Sequence, residues 1–170
     1  ADVDGDGDTD VLSASRNDDK IAWYENDGRQ VFAPFGGVNT VATNAVGARS
    51  VFAADVDGDG DTDVLSASRN DDKIAWYEND GRQVFAPFGG VNTVATNAVG
   101  ARSVFAADVD GDGDTDVLSA SRNDDKIAWY ENDGRQVFAP FGGVNTVATN
   151  AVGARSVFAA DVDGDGDTDV

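Results

Sequence analysis

Exact repetition constrains this chain more than any other feature of its sequence. Residues 54–106 recur without a substitution as residues 107–159, residues 1–53 are the same 53-residue string, and residues 160–170 begin it once more. A period of this size marks solenoids, propellers and arrays, in which one unit cannot bury its apolar face alone and must stack on its neighbours. The organisation is therefore three blade-sized units, 1–53, 54–106 and 107–159, with an 11-residue restart at 160–170. Natural repeats drift apart, so identity at every position indicates either an engineered consensus or a very recent amplification. The chain begins at Ala1 rather than Met, as a processed product or a piece of a longer array would.

Within a unit the segments are short and rich in β-formers. Ser50, Val51, Phe52, Ala53 and Ala54 read as a first strand, bounded by Gly47 and by an Asp/Gly cluster. Val64, Leu65, Ser66, Ala67 and Ser68 make a second, ended by the turn residues Arg69, Asn70, Asp71 and Asp72. Lys73, Ile74, Ala75, Trp76, Tyr77 and Glu78 make the third and most strand-like, closed by Asn79, Asp80 and Gly81. The stretch 84–96 is apolar enough for a fourth, but Pro87 and the Gly89-Gly90 pair confine it to an outer edge and leave part of it as loop. In the third strand Ile74 and Trp76 would face one way and Ala75 and Tyr77 the other. Neither side is polar, as expected for a sheet sandwiched between sheets. Gly, Asn, Asp and β-branched residues interrupt every window long enough for a helix. The expected class is all-β: a β-propeller of four-stranded antiparallel blades.

The chemistry sits between the first two strands. Residues 55–63 read DVDGDGDTD, placing Asp55, Asp57, Asp59, Asp61 and Asp63 at positions one, three, five, seven and nine. A tight turn would direct positions one, three, five and nine inward while position seven offers its carbonyl. Six or so oxygen ligands at about 2.3 to 2.6 Å suit calcium. Gly60, at position six, would permit the sharp bend. Without an ion the five carboxylates repel, so folding and metal binding should be linked. An EF-hand is excluded, because position twelve is Ser66 rather than Glu and strands rather than helices flank the loop. The nonapeptide calcium β-helix is excluded by its period of nine. Turn chemistry alone would explain Asp and Gly, but not Asp at every odd position with Gly at six.

Charge points the same way. With 32 acidic and 12 basic residues the net charge is −20, which opposes phosphate backbones and anionic lipid, so no nucleic-acid partner is expected. Four divalent ions would offset a good part of that excess. Cys and His are both absent, which removes disulfides and the usual zinc sites. No apolar run is long enough for a membrane span and no signal peptide is evident. Catalysis is not expected, since hydroxyls lack a nearby base and the paired carboxylates are accounted for as ligands.

The sequence from Phe52 through the Asp loop to Val64-Leu65-Ser66-Ala67-Ser68 and Ile74-Ala75-Trp76-Tyr77-Glu78-Asn79 resembles the FG-GAP/VCBS repeats of integrin-like β-propellers over nearly the whole unit. That resemblance implies calcium held by Asp2, Asp4, Asp6 and Asp10; by Asp55, Asp57, Asp59 and Asp63; by Asp108, Asp110, Asp112 and Asp116; and by Asp161, Asp163, Asp165 and Asp169. Asp8, Asp61, Asp114 and Asp167 would give carbonyls. Propellers of this kind close with six to eight blades, so three units imply closure by oligomerisation. The chain starts at an Asp loop and ends with a first strand, residues 156–160, and another loop. Exchange of that terminal strand between two chains would give a six-bladed homodimer. The resemblance also includes lectins and adhesins, so a glycan is the alternative partner, with Trp76, Tyr77 and the turn Arg69-Asn70-Asp71-Asp72 as candidate contacts; a Trp inside an apolar strand is, however, more often packed in a core. Extracellular calcium modules bind at about 10⁻⁴ to 10⁻³ M, so a natural parent is expected to be secreted or displayed on a cell surface.

Overall fold

The computed structural model describes residues 1–29, 39–81, 92–134 and 145–170. Among these, β-strands are the only regular elements, and no helix is long and apolar enough to cross a membrane. The middle sheet shows the building plan. Its strands are β4 (Ala48–Ala54), β5 (Asp63–Ser68), β6 (Lys73–Tyr77) and β7 (Asn92–Ala95), paired antiparallel in sequence order. The same plan recurs in β8 (Ala101–Ala107), β9 (Asp116–Ser121), β10 (Lys126–Tyr130) and β11 (Asn145–Ala148). The first sheet has three strands, β1 (Val11–Ser15), β2 (Lys20–Tyr24) and β3 (Asn39–Ala42).

The second and third strands of each sheet fall where β-propensity and turn residues put them. The first strand begins two residues earlier than expected, at Ala48, because Ala48 pairs with Ser68 across a bulge that leaves Arg49 unpaired. Of the anticipated fourth strand, Asn92–Ala95 is formed, whereas residues 84–91, including Pro87 and the two glycines, lie outside the described residues. Segment 156–160 differs from expectation. It forms no ladder and makes a single bridge, Ala160 to Asp169, in the register that Ala54 and Asp63 show in the middle sheet. A first strand pairs along the strand that follows its loop, and of that strand only Asp169 and Val170 are present.

The sandwich predicted from the third strand is the packing found. Ile74 and Trp76 of β6 enter one buried cluster with Val104, Val117, Ala128 and Tyr130 of the following sheet. Ala75 and Tyr77, on the opposite face, enter another with Ile21, Trp23 and Val41 of the preceding sheet. Burying an aromatic such as Trp76 on an apolar face contributes a few kcal/mol at about 25 cal/mol per Å², so these faces hold the array together. The first strands stand side by side: Ser50 Oγ accepts the Val104 N–H at 3.3 Å, and the rings of Phe52, Phe105 and Phe158 follow one another with centroids 4.6 Å apart. The far face of the third sheet is covered only in part, by Val157 and Ala159, and Phe158 is 66 % exposed. The three sheets do not close on one another among the described residues.

Candidate metal centre

The second and third Asp-rich loops join the first and second strands of their sheets, so their ends are fixed by a ladder; the first loop leads into β1, and the fourth is closed by the single bridge from Ala160 to Asp169. In the middle sheet that ladder closes with Ala54 opposite Asp63. Between them the backbone turns back sharply, with φ of 77° at Gly58 and 95° at Gly60, a region that side-chain-bearing residues rarely adopt. The position-six bend therefore needs its glycine.

The carboxylates organise the loop before any ion is considered. Asp55 accepts the Gly58 N–H at 2.8 Å on one oxygen and the Gly60 N–H at 3.0 Å on the other. Asp57 accepts from Asp59 N at 3.2 Å, and Asp59 from Asp61 N at 2.9 Å. Asp63, at the start of β5, is fully buried and accepts the N–H groups of Val56 at 3.0 Å and Asn79 at 2.7 Å. The other three loops repeat the two Asp55-type bonds, as in Asp2 with Gly5 and Gly7. Each of these oxygens keeps a lone pair after one hydrogen bond, so bonding to the backbone orients it without using it up.

Four groups of carboxylates result, each with one oxygen per residue lying within 4.8 Å of the others: Asp2, Asp4 and Asp6; Asp55, Asp57 and Asp63; Asp108, Asp110 and Asp116; Asp161, Asp163 and Asp169. Ligands on opposite sides of a calcium ion stand about 5 Å apart, so the span fits that ion, and the donor set is the hard oxygen it takes. Positions one, three and nine meet in the second to fourth loops, without Asp59, Asp112 and Asp165; in the first loop positions one, three and five meet, without Asp10. Asp10 nevertheless makes the position-nine bonds, to Val3 N and Asn26 N, both at 2.8 Å. Position seven turns away from the group. The Asp61 carboxylate lies where a Cβ on Gly81 would be, and Asp8 and Asp114 stand likewise against Gly28 and Gly134. Asp167 is exposed, and its N–H donates to Asp165 at 2.9 Å.

The field at the site is strongly negative. Burial pushes the Asp63 carboxyl up to about 7, against the downward pull of its bonds from Asn79 and Val56. Burial also raises Asp116, and it raises Asp57, where the charges of Asp59, Glu78 and Asp55 add to the effect. Asp4 is raised by burial first, with Asp10, Asp6 and Glu25 contributing. Carboxyls held above their ordinary range by burial and by one another are relieved when a cation replaces water and protons.

Two contributors escape the sequence reading. Asn79 donates its side-chain N–H to Thr62 O at 3.1 Å and to Val3 O of the preceding loop at 2.8 Å, and Asn132 bonds Thr115 O and Val56 O at the same distances. These asparagines clamp position nine and tie each loop to the next sheet. In identical repeats every position is equally constant, so nothing marked them. The other is a pocket of about 130 Å³ between the first two loops, walled by Asp2, Asp4, Asp61, Thr62 and Asn79.

The sugar-contact reading of the aromatics is corrected: Trp76 and Tyr77 are 3 % and 1 % exposed, and the Tyr77 hydroxyl is bonded to Ser66 Oγ at 3.2 Å. Packing between neighbouring sheets uses up both faces of that strand. In the Arg69–Asp72 turn, Asp72 is engaged structurally, accepting the Gly100 N–H at 2.8 Å. A comparison with curated proteins finds no match. The FG-GAP-like repeat matches the chain three times in succession, over residues 2–66, 55–119 and 108–170.

Proposed function

The chain belongs to the FG-GAP-like repeat family, and on that premise we propose that it is a non-catalytic calcium-binding β-propeller scaffold, designed or recently amplified from one blade. The observation that carries this reading is the recurrence of one carboxylate cluster at each Asp loop, with oxygens within 4.8 Å of one another. Calcium there acts structurally: it neutralises the loop that joins the two inner strands of a blade and fixes the turn against the next one. The absence of His and Cys supports the lack of catalysis. Repeats of this family are typical of extracellular proteins, and calcium-rich surroundings outside the cell suit loops of modest affinity. The test is calorimetric titration of calcium into chelator-stripped protein. Three or four saturable sites per chain are expected; a chain that takes up none reduces the clusters to turns.

The same reading extends to assembly. Among the described residues the outer edge of β1 carries no strand, whereas β5 and β9 are each flanked by a first strand on that side. Segment 156–160 has the sequence of such a strand, forms no ladder, and exposes Phe158. Unpaired edges of this kind seek a partner. Two chains that exchange this segment make a six-bladed ring. Native mass spectrometry of the 17.6 kDa chain should then show a dimer that persists on dilution to micromolar concentration, and a monomer at that concentration rules out the exchange.

A further inference from the structure

The end of the sheets away from the Asp loops carries charge of the opposite sign. Arg49 sits at the bulge where β4 begins, and Arg69 follows the last residue of β5, its N–H bonded to Gly47 O at 3.2 Å. Both therefore lie at one end of the blade, while the loop begins at Asp55, six residues after Arg49 and about 20 Å away at 3.3 Å per residue. Stacking of the first strands brings the equivalent Arg102 and Arg122 of the next sheet alongside. Arg49 is depressed below the usual guanidinium range by burial and then by the charges of Arg16, Arg69 and Arg122. Arg102 is depressed by burial and by Arg49, Arg69, Arg122 and Arg155.

In a chain with 32 acidic and 12 basic residues, cations ought to find carboxylates easily. The lysines do: Lys20, Lys73 and Lys126 stand 3.4, 3.0 and 3.1 Å from Asp18, Asp71 and Asp124. The six arginines of this row form no ion pair with a described residue. The Nε atoms of Arg49, Arg69 and Arg102 are buried from solvent without a hydrogen-bond partner. Carboxylates in the adjoining turns face other groups: Asp71 and Asp124 pair with those lysines through Oδ2 while their Oδ1 atoms are buried without a hydrogen-bond partner, and Asp72 and Asp125 accept the Gly100 and Gly153 N–H groups at 2.8 Å. Like charges brought together with donors unsatisfied are costly unless an anion lies between them. Guanidinium groups present planar forks that match oxyanions two bonds at a time.

We infer that this row is a binding site for small tetrahedral oxyanions, sulfate or phosphate, gripped between neighbouring blades by Arg49, Arg69, Arg102 and Arg122. A dianion bridges two blades where a monoanion neutralises one side chain, so the site prefers doubly charged ligands. It lies at the far end from the Asp loops and does not depend on their holding calcium.

The experiment is calorimetric titration of sodium sulfate into the intact chain, kept at the lowest calcium that saturates it, with sodium chloride at equal ionic strength as control. A parallel arm uses a sulfated monosaccharide, which separates a free ion from the same group carried on a sugar. Saturable heat with sulfate or the sulfated sugar and none with chloride is expected, and the tighter of the two names the source. The double variant Arg49→Gln/Arg102→Gln should bind at least tenfold more weakly, while its own stability without sulfate is equal to or above that of the parent because repulsion is relieved. No saturable heat with either ligand overturns the site, as does equal binding by parent and variant. Should the variant not fold, the titration of the parent chain decides alone.

Discussion

At the scale of single residues, the loop separates carboxylates that converge from those that shape the turn around them. Asp57 lies in the cluster of Asp55 and Asp63, whereas Asp61 points to Gly81. Asp57→Ala should therefore remove one calcium per chain from the calorimetric stoichiometry, while Asp61→Ala keeps the count and changes affinity by a few-fold at most. Asp63 makes a second prediction possible, on pH. Its carboxyl is held at about 7 in the fold against 3.8 for an ordinary Asp, so between about pH 4 and pH 7 the folded chain keeps a proton that the unfolded chain has lost. Stability of the metal-free protein accordingly falls as pH rises through that window, by on the order of a few kcal/mol for this group. Calcium competes with the same proton, so its affinity rises over the same range. Thermal melts with chelator and with calcium at pH 4.5, 6 and 7.5 should diverge; parallel curves would show that Asp63 does not titrate there. The sequence made the odd-position Asp pattern legible, but not that position nine is buried at the head of a strand.

Among elements, the third strand determines most of the packing and the asparagine after it locks the loop. Asn132 joins Asp116, Thr115 and Val56, so Asn132→Ala strands two carbonyls, one of them in the preceding loop. A loss of about 1–3 kcal/mol in urea unfolding is expected, with the β-content unchanged. The turn between adjacent sheets makes a sharper demand. Gly100 has φ of 70°, a Cβ there would stand 2.6 Å from the Asn123 side chain, and its N–H reaches Asp72 at 2.8 Å. Gly100→Ala should cost about 1–3 kcal/mol, while Gly153→Ala, where nothing lies within 4 Å, bears only the backbone strain and costs less. Strand identity was readable from alternation and turn residues. The bulge at Arg49 and the clamp at Asn79 were not, because both depend on which backbone lies opposite.

For the whole molecule the balance is electrostatic: a net charge of −20 with its carboxylates crowded into loops makes the folded state self-repelling until cations are bound. Chelation should lower the melting temperature by several degrees or more, and sodium chloride should restore less of that loss than calcium at equal ionic strength, because screening weakens repulsion without supplying ligands a centre. Equal recovery by both salts would point to screening alone. The sequence by itself determined the period, the all-β character, the sandwiching of each sheet and the place of the Asp loops, since these follow from local propensity, alternation and identical repetition. Only the tertiary structure decided which carboxylates converge, that Asn79 and Asn132 tie each loop to the one before, and that arginines of successive sheets stand together without an ion pair among the described residues. The first depends on how the backbone curves within each loop and the others on residues distant in sequence meeting across a strand pair or a sheet interface, and a repeat without variation gives no covarying signal from which such meetings could be read.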